Sequence, residues 1–453
     1  MSSSGRASAP APGPIRSFDF PRVRREVLDN GLQLRCVGVP RLPVVTVSLV
    51  LDAGECNVDD SHAGLAVLTG DSLEGGTAVR SGVALAEALE GIGAGLSVGT
   101  GWDSTAIALS CMADRLDEAM ELLAEVVLQP TFPTDEVERI RGQRLAAIKQ
   151  GRMDPASIAT YASRAATYSD GAPYGRPLGG TEESVSSLGS DSAAGFVEAR
   201  YRPGGAGLVV VGDVDIDHVK SLAEGSFGNW SGDAPRVDGI GAEPRTTARR
   251  MVVVHRPDAV QSEIRIGHVG QPRSTPDYFP LLVLNVILGG AFTSRLNMNL
   301  REKHGFTYGV RSQFAFRRGP GPWTISTAVG TEVTADAVRE ALSEVETLVA
   351  DGPTDEEVEA ARDYIAGIFP LRLETTTQIA SRIAELLIYD LPDDYHSDYR
   401  DRVRSVTRDQ VAEAARRCIR PDETTVVIGG DAERVRSPLE ALGWAPLEIE
   451  SAP

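Results

Sequence analysis

Histidine is scarce in this 453-residue chain, with six residues at positions 62, 218, 255, 268, 304 and 396. No two stand close enough to share one helix face, so a metal pair on a single helix is excluded. Cysteine is scarcer: Cys36, Cys56, Cys111 and Cys418 are the only four, and none belongs to a Cys-x-x-Cys pair. Scattered in or beside apolar runs, they predict reduced core thiols and argue against a disulfide frame. Positive charge is also short, since 45 Lys and Arg face 64 Asp and Glu and leave a net charge of −19. That balance argues against nucleic-acid binding, which needs a surplus of cations. It suits either a well-solvated surface or an acidic cavity for cationic peptides. No segment approaches the roughly 20 apolar residues of a membrane span, so none is expected. The first 17 residues, MSSSGRASAPAPGPIRS, have no apolar centre for a secretory signal. Their Ser, Ala and Pro predict a disordered tail over 1–17, and the expected compartment is the cytoplasm.

What the chain does contain is a repetition. Ala162-Ser163-Arg164 recurs as Ala380-Ser381-Arg382, an offset of 218 residues. At the same offset Ser187 falls on Ser405, Asp191 on Asp409, Arg202-Pro203 on Arg420-Pro421 and Gly212-Asp213 on Gly430-Asp431. Pro133-Thr134-Asp135-Glu136 matches Pro353-Thr354-Asp355-Glu356 at an offset of 220. Each match is short, but several in one order at nearly one offset read as a tandem duplication. A chain of this length is also too long for one core and comfortable for two. The expected units are a first domain over 18–230, a linker over 231–249 and a second domain over 250–453. The linker is rich in Gly, Pro and charge and has no periodicity.

Within each unit, strand and helix signals come in the same order. In REVLDNGLQLRCVGV (25–39), Asp29-Asn30-Gly31 between apolar runs predicts a hairpin with a type I′ turn. Val45, Val47, Leu49 and Leu51 alternate with Thr46 and Ser48, the mark of a half-buried strand. Leu116, Met120, Leu123 and Val127 recur at three- and four-residue spacing, a core-facing helix stripe. Further strands are expected at 105–111, within RPGGAGLVVVGDV (202–214) after its Pro/Gly turn, and at 262–270, 322–330 and 424–431, with helices near 83–89, 190–199 and 334–352. Strand pairs beside blocks of helices predict an α+β fold: two tandem homologous domains, each a mostly antiparallel sheet with helices on one face.

Five stretches carry a resemblance when taken together: LDNGL (28–32), AGLAVLTGDSLEGGT (63–77), FPTDEVERIRGQRLAAIKQGRMDP (132–155), LGGAFTSRLNMNLREKHGFTYGV (288–310) and the paired Arg-Pro…Gly-Asp endings. They resemble the pitrilysin/insulinase family of zinc peptidases, in its two-domain branch with the mitochondrial processing peptidase subunits and their bacterial relatives. The likeness runs from about Phe18 to the end of the chain. It implies a clamshell of two similar α+β halves facing a cavity, with an inverted zinc motif, His-x-x-Glu-His, on a helix of the first half. Two His and a downstream Glu would bind the metal, and the motif's own Glu would act as general base. Both flanks of that motif are present, Gly64-Leu65-Ala66 and Gly76-Thr77. Between them, the first His position holds Val67, the Glu position Gly70 and the second His position Asp71. Where the third ligand belongs, the chain reads Leu145-Ala146-Ala147-Ile148, and no Glu occurs between Glu138 and Glu182. Valine cannot ligate, glycine cannot take a proton, and one aspartate does not make a site. No catalytic residue and no metal of its own are expected in this chain. A phosphate cradle is excluded too, because TGDSLEGGT lacks the P-loop Lys and follows no strand. His62, ahead of the helix, reads as a loop or capping residue.

The second half differs. In the family, text of the form Leu-Arg-Glu-Lys-x-Gly-x-x-Tyr offers an Arg and a Tyr to the substrate, and LREKHGFTYGV keeps both as Arg301 and Tyr308. Thr293 or Ser294 can cap the helix, Gly305 can close it, and Tyr308 then opens a strand, so both side chains can face one space. On local physics alone, an Arg in a last turn serves the helix dipole and a Tyr at a strand start is ordinary core. The resemblance makes them substrate-binding donors to peptide carbonyls. It thereby implies a non-catalytic subunit that closes the cavity on a peptide substrate. A homologous partner in a heterodimer would carry the zinc and the intact motif. The alternative is a scaffold or assembly protein with the same fold and no proteolysis. An autonomous peptidase built on Asp71 and His62 would require zinc bound to the isolated chain.

Overall fold

The computed structural model describes residue 13 and residues 16–235 and 239–451. Most of the expected tail, and residues 236–238 of the expected linker, lie outside the described residues. The strands are β1 (Arg24–Val27), β2 (Gln33–Gly38), β3 (Val44–Leu51), β4 (Gly95–Thr100), β5 (Thr105–Met112) and β6 (Ala206–Gly212), then β7 (Arg250–His255), β8 (Gln261–Val269), β9 (Val310–Phe314), β10 (Pro322–Gly330), β11 (Thr425–Gly430) and β12 (Leu447–Ser451). Helices of the first half are α1 (Leu65–Ser72), α2 (Gly82–Gly91), α3 (Leu116–Leu128), α4 (Thr134–Gly151), α5 (Pro155–Thr167), α6 (Glu182–Ser186), α7 (Ser190–Arg200) and α8 (Ile216–Phe227). Those of the second are α9 (Tyr278–Asn285), α10 (Thr334–Asp351), α11 (Asp355–Ile368), α12 (Thr376–Ile388), α13 (Tyr399–Ser405), α14 (Arg408–Cys418) and α15 (Ala432–Glu440).

The strands form two six-stranded mixed sheets, ordered β1-β2-β6-β3-β5-β4 and β12-β7-β11-β8-β10-β9. Without the edge strands β1 and β12, the second order is the first with every number raised by five. The duplication read from short matches is therefore a duplication of topology. In each sheet the first and last of these strands pair in parallel, β2 with β6 and β7 with β11, and the inner neighbours run antiparallel. The two Pro-Thr-Asp-Glu copies open α4 and α11.

Each sheet is covered on one face by helices of its own half. Leu116, Met120, Leu123 and Val127 are buried as their spacing requires, in a core with Val47, Leu49, Leu109 and Leu208. The second core gathers Ile264, Ile325, Leu342, Val411 and Val426 in the same way. The opposite face of each sheet receives one helix from the other half. Ile158 and Ala166 of α5 pack on Val252, Val254 and Val427 of the second sheet. Ile379, Ile383 and Leu386 of α12 pack on Val37, Val209 and Val211 of the first. Gly207 of β6 leaves room for Leu387, which a side chain there would meet. The Ala-Ser-Arg copies thus sit on the two exchanged helices. Burying an Ile or Leu fully stabilises by about 1.5–3 kcal/mol each, so each exchanged helix fastens the halves together firmly.

The β1–β2 connection corrects one expectation. A type I′ turn needs positive φ at both central residues, and only Gly31 (φ 89°) has it. Val27 pairs with Gln33 around a five-residue loop. Asn30 donates from its amide to the carbonyls of Phe227 and Trp230 at 2.7 and 2.9 Å, so it anchors the hairpin to the end of α8. All four cysteines are free and buried, and burial pushes their thiols up to about 11 or 12. No helix among the described residues is long and apolar enough to cross a membrane.

Candidate functional site

Helix α1 starts at Gly64, whose left-handed φ of 93° lets the chain turn against Gly179, where a Cβ would stand 2.7 Å from a carbonyl oxygen. The helix start is held by a residue that the local sequence pattern does not announce. Glu55, fully buried, accepts the amides of Gly64 (2.6 Å) and Ala66 (3.2 Å) and faces Arg176 at 3.4 Å. Burial outweighs these contacts and raises its carboxyl from 4.5 to about 7.

Along α1, the three positions that the resemblance sets against the zinc motif have these surroundings. Val67 is buried. Gly70 packs under β4: a Cβ there would run into the Thr100 hydroxyl and stand 3.2 Å from Val98 Cγ1. Asp71 is ion-paired with Arg144 of α4. A guanidinium thus bridges α1 and α4. With Gly70, Glu74, Val98 and Gln143, the pair lines an open cavity of about 410 Å³, and burial raises the carboxyl of Glu74. Zinc does not fit this set, since a cation already neutralises the one motif carboxylate and neither other motif position can ligate. Among the described residues no group of three or more His, Cys, Asp or Glu is placed to hold a metal ion. His62 is exposed, and Asp59 caps the short helix that ends with it, His62 Nδ1 lying 2.9 Å from the Asp59 carboxylate.

In the second half, a π-helical stretch over Val286–Gly290 brings Gly289 against β9, where a Cβ would stand 2.5 Å from the Ser312 amide. A second π-helical segment, Asn297–Lys303, carries Arg301 near its end. Gly305 closes it as expected, with φ 65° and its amide on the Arg301 carbonyl at 3.0 Å. The expected cap is different: the Ser294 hydroxyl takes the Asn297 side-chain amide (3.1 Å) and no backbone amide. Asn297, absent from the sequence-level candidates, is the residue that joins helix to strand. Its amide donates to the Val310 carbonyl (2.9 Å), and its carbonyl oxygen accepts the Val310 amide (3.2 Å).

That clamp sets the positions of Arg301 and Tyr308, which the structure brings together. The guanidinium lies 4.1 Å from the Phe292 ring and 5.5 Å from the Tyr308 ring. Tyr308 is 94% exposed and Phe292 67%, an unusual setting for large aromatics. Arg301 Nη1 is buried and makes no hydrogen bond within the described structure. A preset guanidinium with a spare donor, flanked by two open rings, can take a carbonyl and an apolar side chain together.

Comparison with known proteins agrees with this architecture. The family description "Insulinase (Peptidase family M16)" matches residues 39–182, and "Peptidase M16 inactive domain" matches residues 187–365. The second match begins in the first half, just ahead of α7, and extends through Arg301 and Tyr308; it does not include residues 64–77. An uncharacterized zinc protease of Mycobacterium tuberculosis is 28% identical over 362 residues, covering 80% of this chain and 82% of its own. One of Bacillus subtilis is 24% identical over 363 residues, covering 80% and 87%. The crystal structure of a peptidase M16 inactive domain from Pseudomonas fluorescens superposes with a TM-score of 0.84 at 27% identity, over 90% of this chain and 98% of that one. A protease from Helicobacter pylori, at 19% identity, has the same fold with a TM-score of 0.84, covering 91% and 100%. With family models matched over residues 39–182 and 187–365, the chain belongs to the insulinase (M16) peptidase family.

Proposed function

We propose that this chain is the non-catalytic subunit of a heteromeric zinc peptidase of the cytoplasm. Its partner is a homologous subunit that carries the zinc and an intact His-x-x-Glu-His motif. The observation that carries the reading is the contrast between the halves. In the first, the Asp71–Arg144 ion pair and the packing of Gly70 under Thr100 occupy the place of ligands and base. In the second, Arg301 keeps an unpartnered buried donor between two exposed rings. The chemistry therefore belongs to the partner, and the work of this chain is to close the cavity and hold the peptide. Arg301 donates to a backbone carbonyl, and Tyr308 and Phe292 cover an apolar side chain of the substrate.

The test is co-expression with a homologous subunit that has the intact motif, followed by a fluorogenic-peptide assay and zinc analysis of each chain. The isolated chain should be inactive and free of zinc. In the complex, Arg301→Ala should lower kcat/KM by about tenfold or more, with a smaller loss for Tyr308→Phe. If both variants leave the rate of the complex untouched, the assigned roles are wrong. A stable complex with proteins that lack any zinc motif, and no hydrolysis, would establish the scaffold reading instead.

A further inference from the structure

The two Ala-Ser-Arg copies differ in what faces their arginines. On α12, Arg382 donates to both oxygens of Glu385, at 2.8 and 3.1 Å. Moved back by the repeat offset of 218, Arg382 falls on Arg164 and Glu385 on Thr167. Helix α5 thus keeps the cation and lacks its carboxylate. No hydrogen bond or ion pair engages the Arg164 guanidinium within the described residues.

A second arginine faces the same space. Arg317, between β9 and β10, is only 9% exposed, and its Nη1 has no hydrogen-bond partner among the described residues. It is held in place by the rings of Tyr174 and Trp102, at 4.5 and 4.9 Å. Its pKa is lowered, by burial first and by the nearby charge of Arg164 second. The acid it feels, Asp103, is engaged elsewhere, accepting the Tyr174 hydroxyl (2.8 Å) and the Arg318 amide (3.0 Å). Arg164 and Arg317 line a cavity of about 240 Å³ between α5 and the second sheet, with the hydroxyls of Ser163, Thr167, Thr324 and Ser326 around them. A third arginine on its wall, Arg265, is satisfied by Glu263, Thr160 and two backbone carbonyls. Among the described residues no carboxylate lines the cavity. Two facing guanidinium groups with no acid between them, in a chain of net charge −19, call for an anion from outside.

We propose that this cavity binds a small oxyanion, a phosphate or a carboxylate, which takes in the first half the place that Glu385 takes in the second. The paired oxygens of either group match the guanidinium forks, and the surrounding hydroxyls supply further donors. Since α5 comes from the first half and the sheet from the second, the bound anion fastens the two halves. The site requires no partner chain and stands apart from the subunit reading.

The experiment is a thermal-unfolding titration of the full chain at constant ionic strength, replacing sodium chloride with sodium phosphate in one arm and sodium acetate in the other. The Tm should rise saturably in one arm, and which arm responds identifies the source of the oxyanion. Arg164→Gln should weaken the apparent Kd by about tenfold or more. Thr167→Glu supplies an internal carboxylate, and should raise the Tm in chloride and remove the response. If neither anion acts beyond chloride, or if Arg164→Gln responds as the unmodified chain does, the site does not exist. Arg164→Gln alone decides the matter should Thr167→Glu fail to fold.

Discussion

Glu55 holds the start of α1 as a buried carboxyl whose pKa stands near 7 instead of 4.5. A folded-state pKa above the unfolded value means the folded chain binds the proton more tightly. Its contribution is therefore complete below about pH 4.5 and is lost as pH rises through 7. The full span is on the order of 3 kcal/mol. Denaturant unfolding between pH 5 and 8 should show stability falling along that window, and Glu55→Gln should flatten the slope. The motif positions lead to a second prediction. Replacing Val67 with His, Gly70 with Glu and Asp71 with His together should not create a zinc site. A side chain at position 70 meets Thr100, and Arg144 places a cation where the metal would sit. Equilibrium dialysis with zinc should find no stoichiometric binding, and tight binding of one equivalent would overturn the account. At this scale the inability of Val67 to ligate and of Gly70 to take a proton was legible, because it follows from their side chains wherever they lie. The replacement was not: Arg144 stands 73 residues from Asp71. Nothing local marks it as a partner, just as nothing in the sequence marks Asn297 as the clamp behind Arg301.

The elements most responsible for cohesion are α5 and α12, each buried on a sheet built by the other half. Ile383 is fully buried at one contact and Ile158 nearly so at the other. Ile383→Ala or Ile158→Ala should destabilise by about 2–5 kcal/mol through lost transfer energy and the cavity left behind. Because each change leaves the other exchanged helix in place, unfolding should remain a single transition by circular dichroism and tryptophan fluorescence. Two separate transitions would show that the joints carry little. The alternation at 45–51 and the stripe at 116–127 gave their elements away, since a face buried in its own half imposes its period on the chain. Strand β3 is nevertheless buried on both faces and not half-buried, because Thr46 meets Thr376 and Thr377 of α12. The repeat marked α5 and α12 as equivalent, yet period alone cannot tell which sheet a helix will cover. The turn at 28–32 departs from the type I′ expectation for a related reason. Asn30 answers to α8, some 200 residues away, and not to its own hairpin.

For the whole molecule, two like sheets with interchanged cover should behave as one cooperative body. A fragment ending near residue 230 lacks α12, leaving Val37, Val209, Val211 and Phe20 without their apolar partners. Alone it should fail to give a cooperative melt, and addition of the fragment from about residue 231 should restore one. A sharp melt for the first fragment by itself would contradict the architecture. The interchange also bears on origin. A half-length forerunner with this topology would have had a bare sheet and a helix with nowhere to rest, and both needs are met at once by a twin. The tandem gene then needs no new contact, only a tether between two molecules already clasped.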